Sequence, residues 1–369
     1  MRAAAALALS LALLGVSGEA PKAQEAAAAS NVLTAWLDRA DIHPAVRLGR
    51  LTIFPVTLKS THRLRNLLTM QQAMQEKLLV IEELESPQVS RARFINKSGK
   101  HLIFLMAGEV VTGGKQSRTL ATDALLGPDS ATVLPLYCVE KGRWKGSAAF
   151  AQISTVAPQA VRERAAQGSG QGEIWQEVAR ANRRLRSSTP SEDLAAAMTT
   201  PENLKKLAEL RERIRPKLPR GCAGVVVVRE GDIVGADLFN SPELFAAMRA
   251  KVIDSYLSQY THEASAGEAD VARPDQHEVR RYLQACYRAR FIRAEMRGVG
   301  QVYDIRGARF GQTLAHRPGY RIAPAERRID RAAREAEYMV HTALMQEVVP
   351  VRPTPIRVPP PRPMPRRER

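Results

Sequence analysis

Short apolar runs separated by polar turns dominate the chain between residues 51 and 139. Runs of this length, bounded by Ser-Gly, Gly-Gly and Gly-Pro-Asp, are typical of strands. Residues 65–79 differ, because their apolar positions recur every three or four residues and predict a helix. The pattern therefore predicts a β-rich lobe over residues 48–146. Its predicted strands are 51–56, 78–82, 89–95, 102–107, 120–126 and 131–139.

Helical and strand patterns occur in blocks in the second half of the chain. Residues 147–172, rich in Ala, Ser, Gln and Gly, predict a long surface excursion before a helix at 174–185. Thr200-Pro201-Glu202 and Ser241-Pro242-Glu243 predict two helix starts, with a capping hydroxyl before proline. Between them, residues 222–228 and 233–239 flank the turn Arg-Glu-Gly-Asp and predict a hairpin.

Strand patterns return at residues 291–315, and a closing helix is predicted from five apolar positions further on. Because strands and helices are grouped and do not strictly alternate, the fold class expected is α+β. The expected architecture is a β-rich N-terminal lobe followed by a helix-rich lobe with a returning antiparallel sheet. The second lobe spans 147–345, and whether it forms one domain with the first stays open. The positions that predict the closing helix are Ile329, Ala333, Ala336, Val340 and Leu344.

Both ends of the chain have compositions that do not build a core. Residues 1–18 combine an early arginine, an apolar run and small residues, as a secretory signal peptide does. The run is shorter than the roughly 20 residues that span a bilayer. A flexible lead-in follows at 19–47, and residues 346–369 form a Pro/Arg-rich tail expected to be disordered. We therefore expect an exported protein, periplasmic or extracellular, without a transmembrane segment in the mature chain.

The chain is strongly basic, with a formal net charge of +17 and a sequence pI near 10.2. Such a charge is compatible with an anionic partner. Arginine is spread along the chain, however, and aromatic residues make up only 5%. A nucleic-acid stacking platform is therefore not expected. Contact with an anionic polymer through the tail remains open.

A glycine-rich loop at residues 112–118 (TGGKQSR) follows the apolar run that ends near Ala107. It does not match the Walker A motif, because Glu109 stands where the first glycine is needed and Gln116 follows Lys115. Two interpretations remain open. The loop is either a tight turn between strands or an anion-binding loop in which Lys115 and Arg118 face the ligand.

A second polar cluster, Cys138-Val139-Glu140-Lys141-Gly142-Arg143-Trp144, follows the last strand of the lobe. A carboxylate beside the thiol raises the thiol pKa, so a buried structural cysteine is favoured over a nucleophile. Two acids and two guanidinium groups at these strand ends form either a structural ion-pair network or a ligand site. The ligand site would use Glu109 and Glu140 as acid/base groups and Lys115, Gln116, Arg118, Arg143 and Trp144 as binding residues.

Cysteine and histidine spacings predict neither a metal site nor a bound cofactor. The seven histidines show no HxH, HxxxH or CxxC spacing. Three cysteines leave at least one unpaired, and a disulfide between Cys222 and Cys286 is the pairing we expect.

Residues 107–118 (AGEVVTGGKQSR) and 134–144 (LPLYCVEKGRW) resemble the ARG and rhodanese-phosphatase-superfamily-associated protein domain, a domain of unknown function. Weaker likenesses occur at 171–178 and 224–256, and the resemblance covers roughly residues 50–320. It implies no demonstrated reaction. The family's association with ADP-ribosylglycohydrolase and rhodanese or phosphatase proteins suggests nucleotide, NAD-derived or phosphate-bearing ligands. An N-terminal export signal and a Pro/Arg tail set this chain apart. The resemblance places the motif residues at Gly108, Glu109, Gly114, Lys115, Gln116, Arg118, Cys138, Glu140, Gly142, Arg143 and Trp144.

Two functions follow as expectations. The first is binding of a small anionic ligand, phosphorylated or nucleotide-like, at the Glu/Lys/Gln/Arg cluster, with enzymatic activity undecided. The alternative is a non-enzymatic envelope interaction or structural module whose basic tail contacts an anionic partner.

Overall fold

The protein is described by a computed structural model that covers residues 32–59, 64–84, 90–143, 146–147, 149–150, 152–261, 273–307, 309–316 and 338–345. Eighteen strands lie in this part of the chain. In chain order they are β1 Ala40–Ile42, β2 Val46–Leu48, β3 Leu51–Leu58, β4 Leu67–Thr69, β5 Leu79–Glu83, β6 Arg91–Asn96, β7 Leu102–Leu105, β8 Glu109–Thr112, β9 Arg118–Leu120, β10 Ala124–Leu126, β11 Ser130–Cys138, β12 Gln152–Val156, β13 Cys222–Arg229, β14 Asp232–Phe239, β15 Arg290–Arg297, β16 Gly300–Arg306, β17 Phe310–His316 and β18 Tyr338–Met345.

These strands form three sheets. The largest has nine strands in the order β1-β3-β13-β14-β18-β17-β16-β15, with β2 also paired to β3, and all its pairs are antiparallel. A six-stranded antiparallel sheet has the order β12-β8-β9-β11-β6-β5. The third has the order β10-β7-β4, in which β4 and β7 are parallel.

In the described residues, seven α-helices have defined bounds, and most of them lie between β12 and β15. The two helices predicted from Thr-Pro-Glu and Ser-Pro-Glu begin where expected, because Thr200 Oγ1 accepts from Asn203 N and Ser241 Oγ accepts from Leu244 N. The helices are α1 Met70–Gln75, α2 Gln159–Ala166, α3 Gln171–Arg184, α4 Leu194–Met198, α5 Pro201–Ile214, α6 Pro242–Leu257 and α7 Gln276–Gln284. Residues 32–37 are also helical.

Helices cover both faces of the nine-stranded sheet. Val225 and Val227 of β13 point to one face, where they share a core with Met248 of α6. Val226 of the same strand points to the other face and packs in a core that includes Val279 of α7. This alternation along one strand follows from the two-residue period of strand side chains. Grouped helices on antiparallel sheets confirm the α+β class. No helix of the described residues is long and apolar enough to cross a membrane.

The hairpin predicted at residues 222–239 is confirmed. Strands β13 and β14 pair antiparallel with Arg229 opposite Asp232. Its two turn residues, Glu230 and Gly231, have φ values of 49° and 94°, the left-handed conformation that a tight hairpin turn requires.

Four of the predicted elements are wrong in part or whole. The strand at 120–126 is divided between the end of β9 and β10, which lie in different sheets. The helix at 65–79 is only the short α1, because β4 takes the preceding residues into a parallel pair with β7. The excursion at 147–172 contains β12 and α2, and α2 is anchored by the ion pair of Arg162 with Asp237, a long-range contact that composition does not reveal. The closing helix is instead strand β18 over its described residues 338–345, and its earlier positions lie outside the described residues.

Candidate functional site

Strand pairing brings the two predicted polar clusters together. Strands β8 and β9 pair around the glycine-rich loop, so the loop is a turn between antiparallel strands. On its other side β9 pairs with β11, where Arg118 lies opposite Cys138. Gly114 passes close to Phe150, because a Cβ at this position would lie 2.6 Å from the ring. The turn between the strands is thus fixed from the side by packing.

Two cations converge on one carboxylate at the edge of this cluster. Arg118 Nη2 donates to Glu83 Oε1 at 3.0 Å, and Lys115 Nζ lies 3.8 Å from Glu83 Oε2. The Arg118 side chain is only 2% exposed and stacks over Phe150, whereas the Lys115 side chain is 40% exposed. Among the described residues, Arg118 Nε and Nη1 have no hydrogen-bond partner. We call Glu83, Lys115 and Arg118 the Glu83 corner.

Gln116 and Cys138 form the buried interior of the cluster. The Gln116 amide donates to the Glu140 carbonyl at 2.9 Å, and its oxygen accepts from Cys138 Sγ at 3.1 Å. Burial raises the pKa of the Cys138 thiol, and the nearby Arg118 guanidinium opposes this only partly. Cys138 is therefore a protonated, buried thiol at neutral pH, as a structural cysteine would be.

Glu140 and Arg143 form a two-point ion pair. Arg143 Nε and Nη2 donate to the two carboxylate oxygens at 2.8 and 2.7 Å, and Ser117 N donates to Oε2 at 2.9 Å. Burial alone would raise the pKa of Glu140, but these hydrogen bonds and one from Ser191 outweigh it and hold the pKa below its usual range. Arg143 also donates to the Gly114 carbonyl at 2.8 Å. The pair therefore ties the two motif segments together, and Glu140 stays charged.

Glu109 is held by a different set of partners from the rest of the cluster. It is fully buried, accepts from Met106 N at 2.9 Å and pairs with Lys251 Nζ of α6 at 2.6 Å. Its two oxygens thus each accept a hydrogen bond within the protein. The structure brings Lys115, Gln116, Arg118, Glu140 and Arg143 into one connected set and leaves Glu109 apart from it. Trp144 lies outside the described residues.

A second, fully buried charge network joins α2, β14 and β18, and sequence reasoning missed it. Arg162 donates to both oxygens of Asp237 at 2.7 and 3.2 Å. His341 lies between two carboxylates, 3.0 Å from Asp237 Oδ1 and 2.6 Å from Asp123 Oδ2. Burial would lower the pKa of His341, but the two carboxylates outweigh it and raise the pKa to about 9. The one signal in the sequence was Asp237, a single acid within the apolar run of β14.

Gly108 of the first motif serves this buried network. Its φ is +89°, and a Cβ there would lie 2.2 Å from Arg162 Cγ. Arg162 also donates from Nε to the Ala107 carbonyl at 3.1 Å. Only glycine fits this position without displacing the guanidinium stem. The Gly-Glu pair of the motif therefore ties its segment to α2 through Arg162 and to α6 through Lys251.

The predicted disulfide between Cys222 and Cys286 is wrong. All three cysteines are described, and each is a buried free thiol. Cys222 lies in the core on one side of the large sheet and Cys286 in the core on the other. In the described part of the chain no group of three or more His, Cys, Asp or Glu side chains is placed to hold a metal ion.

The fold and the motif cluster define a class of α+β protein in which two signature segments meet across a β8-β9-β11 sheet. The chain belongs to the ARPP-1 family, the ARG and Rhodanese-Phosphatase-superfamily-associated Protein domain, whose model matches residues 39–323. No curated protein and no solved structure matches the chain.

Proposed function

We propose that the protein binds a small anionic ligand at the Glu83 corner of the motif cluster. The main observation behind this proposal is that the corner has more positive charge and more hydrogen-bond donors than acceptors. Two cations, Lys115 and Arg118, share the single carboxylate of Glu83. Two buried guanidinium nitrogens of Arg118 have no acceptor among the described residues. A buried donor without an acceptor costs about 1–3 kcal/mol, and a small anion would supply the acceptor.

Binding is a better-supported function for this cluster than acid/base catalysis. Both oxygens of Glu140 accept from Arg143, and both oxygens of Glu109 accept from Met106 N and Lys251. A general base needs a free carboxylate oxygen within reach of the substrate proton. The role of Arg143 is then to brace the loop, while Lys115, the more exposed cation, faces the incoming ligand. The phosphate-bearing ligands suggested by the family resemblance fit these two cations.

Calorimetric titration with inorganic phosphate, ADP-ribose and sugar phosphates tests this proposal. Lys115→Ala should weaken the binding several-fold, whereas Glu83→Gln should strengthen it by removing the competing carboxylate. Lys97→Ala is the matched control, because Lys97 is exposed directly after β6 of the same sheet and its replacement removes the same charge as Lys115→Ala. Saturable binding to neither the wild type nor Glu83→Gln would refute the site. Equal losses in Lys115→Ala and Lys97→Ala would also refute it.

The interlocked ion pairs favour a second candidate, a non-enzymatic interaction module. Glu109, Glu140 and Arg162 are buried and each forms an ion pair, as in a network that fixes the fold. The module would contact an anionic polymer through residues 350–369, which hold eight prolines and six arginines. Deleting this tail should then abolish co-sedimentation with an anionic wall polymer. Unchanged co-sedimentation would exclude the module.

We also propose that the protein is exported, on the strength of the signal-like pattern at residues 1–18. Expression of the full chain in a bacterium should give a periplasmic or secreted product that lacks this segment. Mass spectrometry of the N-terminus and cell fractionation measure both properties. An uncleaved chain in the cytoplasmic fraction would contradict export.

A further inference from the structure

An open groove of about 400 Å³ lies on the helical part of the protein, away from the motif strands in sequence. It is bounded by the end of α5, the turn before β13 and the first two turns of α6. Small-molecule sites in proteins span roughly 300–1,000 Å³, so the groove is large enough for a compact metabolite. We call it the arginine groove, after Arg215, Arg220 and Arg249 in its lining.

The lining of the arginine groove carries an excess of positive charge. Three arginines face a single carboxylate, Glu243. Arg215 pairs with Glu212 at 2.7 Å, and both side chains are exposed. Among the described residues, Arg220 and Arg249 have no carboxylate partner. Two of the guanidinium groups are thus uncompensated, and the positive end of the α6 dipole adds to the potential.

The lining of the arginine groove also includes apolar side chains. Among the lining residues, Cys222 and Phe245 are buried, and Leu218 and Pro219 are partly buried. Burial raises the pKa of the Cys222 thiol, while the positive charge of Arg249 acts in the opposite direction. A lining that combines guanidinium groups with apolar side chains suits an organic anion better than a bare inorganic ion, because both parts of the ligand find a partner.

We propose that the arginine groove binds a compact organic dianion, with its charged head held by Arg220 and Arg249. Each guanidinium can donate two parallel hydrogen bonds to a phosphate or a carboxylate. The carbon part of the ligand then lies against Leu218 and Pro219. This site uses none of the residues of the Glu83 corner, so it can be tested independently of the function proposed above.

Titration calorimetry with glucose 6-phosphate and with succinate tests the groove and separates a phosphate monoester from a dicarboxylate. Salt at about 150 mM screens non-specific attraction to the basic surface. At least one probe should bind saturably, and Arg220→Ala/Arg249→Ala should weaken it by about tenfold or more, as expected for lost charge-assisted hydrogen bonds. Glu243→Gln should strengthen binding.

The matched control is Lys205→Ala/Arg213→Ala, which removes the same charge from exposed positions of α5 outside the groove. This control should stay within about twofold of the wild type, since exposed charges act weakly at this salt. Equal losses in the two double variants would overturn the proposal, as would saturable binding of neither probe. A loss confined to Lys115→Ala would assign the binding to the Glu83 corner and would also overturn it.

Discussion

Replacing His341 with glutamine is expected to remove a pH-dependent part of the protein's stability. His341 is fully buried between Asp123 and Asp237, and its pKa is raised from 6.5 to about 9. Because the folded pKa lies above the unfolded one, the charged imidazole contributes its full stabilisation below pH 6.5. That contribution is lost as the pH rises through about 9.

The size of the effect follows from the pKa shift. Each pKa unit corresponds to about 1.4 kcal/mol, so the rise from 6.5 to about 9 gives about 3 kcal/mol. Removal of the imidazole also leaves Asp123 and Asp237 with fewer partners, so the variant should be less stable than the wild type at neutral pH. A broken buried pair typically costs about 3–5 kcal/mol. The difference in free energy of unfolding between the wild type and the variant, called the stability gap below, should narrow by about 3 kcal/mol between about pH 6.5 and 9.5.

Urea unfolding over this pH range, followed by circular dichroism, measures the gap. Burial raises the pKa of Glu163 to about 7, but this group titrates in both proteins. Its contribution to the pH dependence therefore cancels when the two free energies of unfolding are subtracted. His277→Gln is the control, because His277 is exposed, and it should keep the wild-type pH dependence. A gap that stays constant with pH would refute the reasoning. If the variant does not fold, histidine NMR of the wild type decides the point, and an imidazole that titrates at or below 6.5 would refute it.

Three further predictions follow from single residues. Gly108→Ala should lower the free energy of unfolding by about 3 kcal/mol or more, because this position combines a positive φ with a clash. Gly168→Ala has a positive φ but open space around it, so it should lower the free energy of unfolding by only about 1 kcal/mol. Equal losses for the two variants in urea unfolding would contradict the clash. The stability difference between wild type and Glu140→Gln should shrink below about pH 4, because a depressed folded pKa gives stability that is lost on acidification; an unchanged difference in acid titrations would argue against the pair. Cys222 and Cys286 should react with a thiol reagent only after denaturation, and reductant should not shift the urea midpoint; fewer than three reactive thiols in the denatured chain would contradict free cysteines.

Local signals predicted well the elements whose partners are near in sequence. The β13-β14 hairpin and the N-termini of α5 and α6 depend on turn and capping residues within a few positions, and these were visible in the sequence. The meeting of the two motif segments was also predicted, because both follow apolar strands of one lobe. The sequence did not reveal whether the acids face a ligand or are paired, since that depends on long-range partners such as Lys251.

Strand β18 shows why the closing helix was predicted wrongly. Every described side chain from Met339 to Met345 is buried, because the strand lies inside the sheet between β14 and β17. A strand buried on both faces has no alternating pattern, and Val340 and Leu344 are four residues apart, a spacing that a helix and one face of a strand share. Arg162 was missed for a related reason, because Asp237 lies 75 residues further along the chain.

The central position of β18 also determines when the large sheet can be completed. Of the described strands it is the last to be synthesised, yet it separates β14 from β17. Until it arrives, each of these two strands keeps a row of unpaired backbone groups, a template for aggregation. A chain interrupted before residue 338 would lack His341 as well, so Asp123 would lose the imidazole and Asp237 would keep only Arg162 as a cationic partner. The native sheet therefore cannot be completed before residues 338–345 are translated, and the pairing of β18 with β14 joins segments far apart in the chain, a kind of contact that forms slowly.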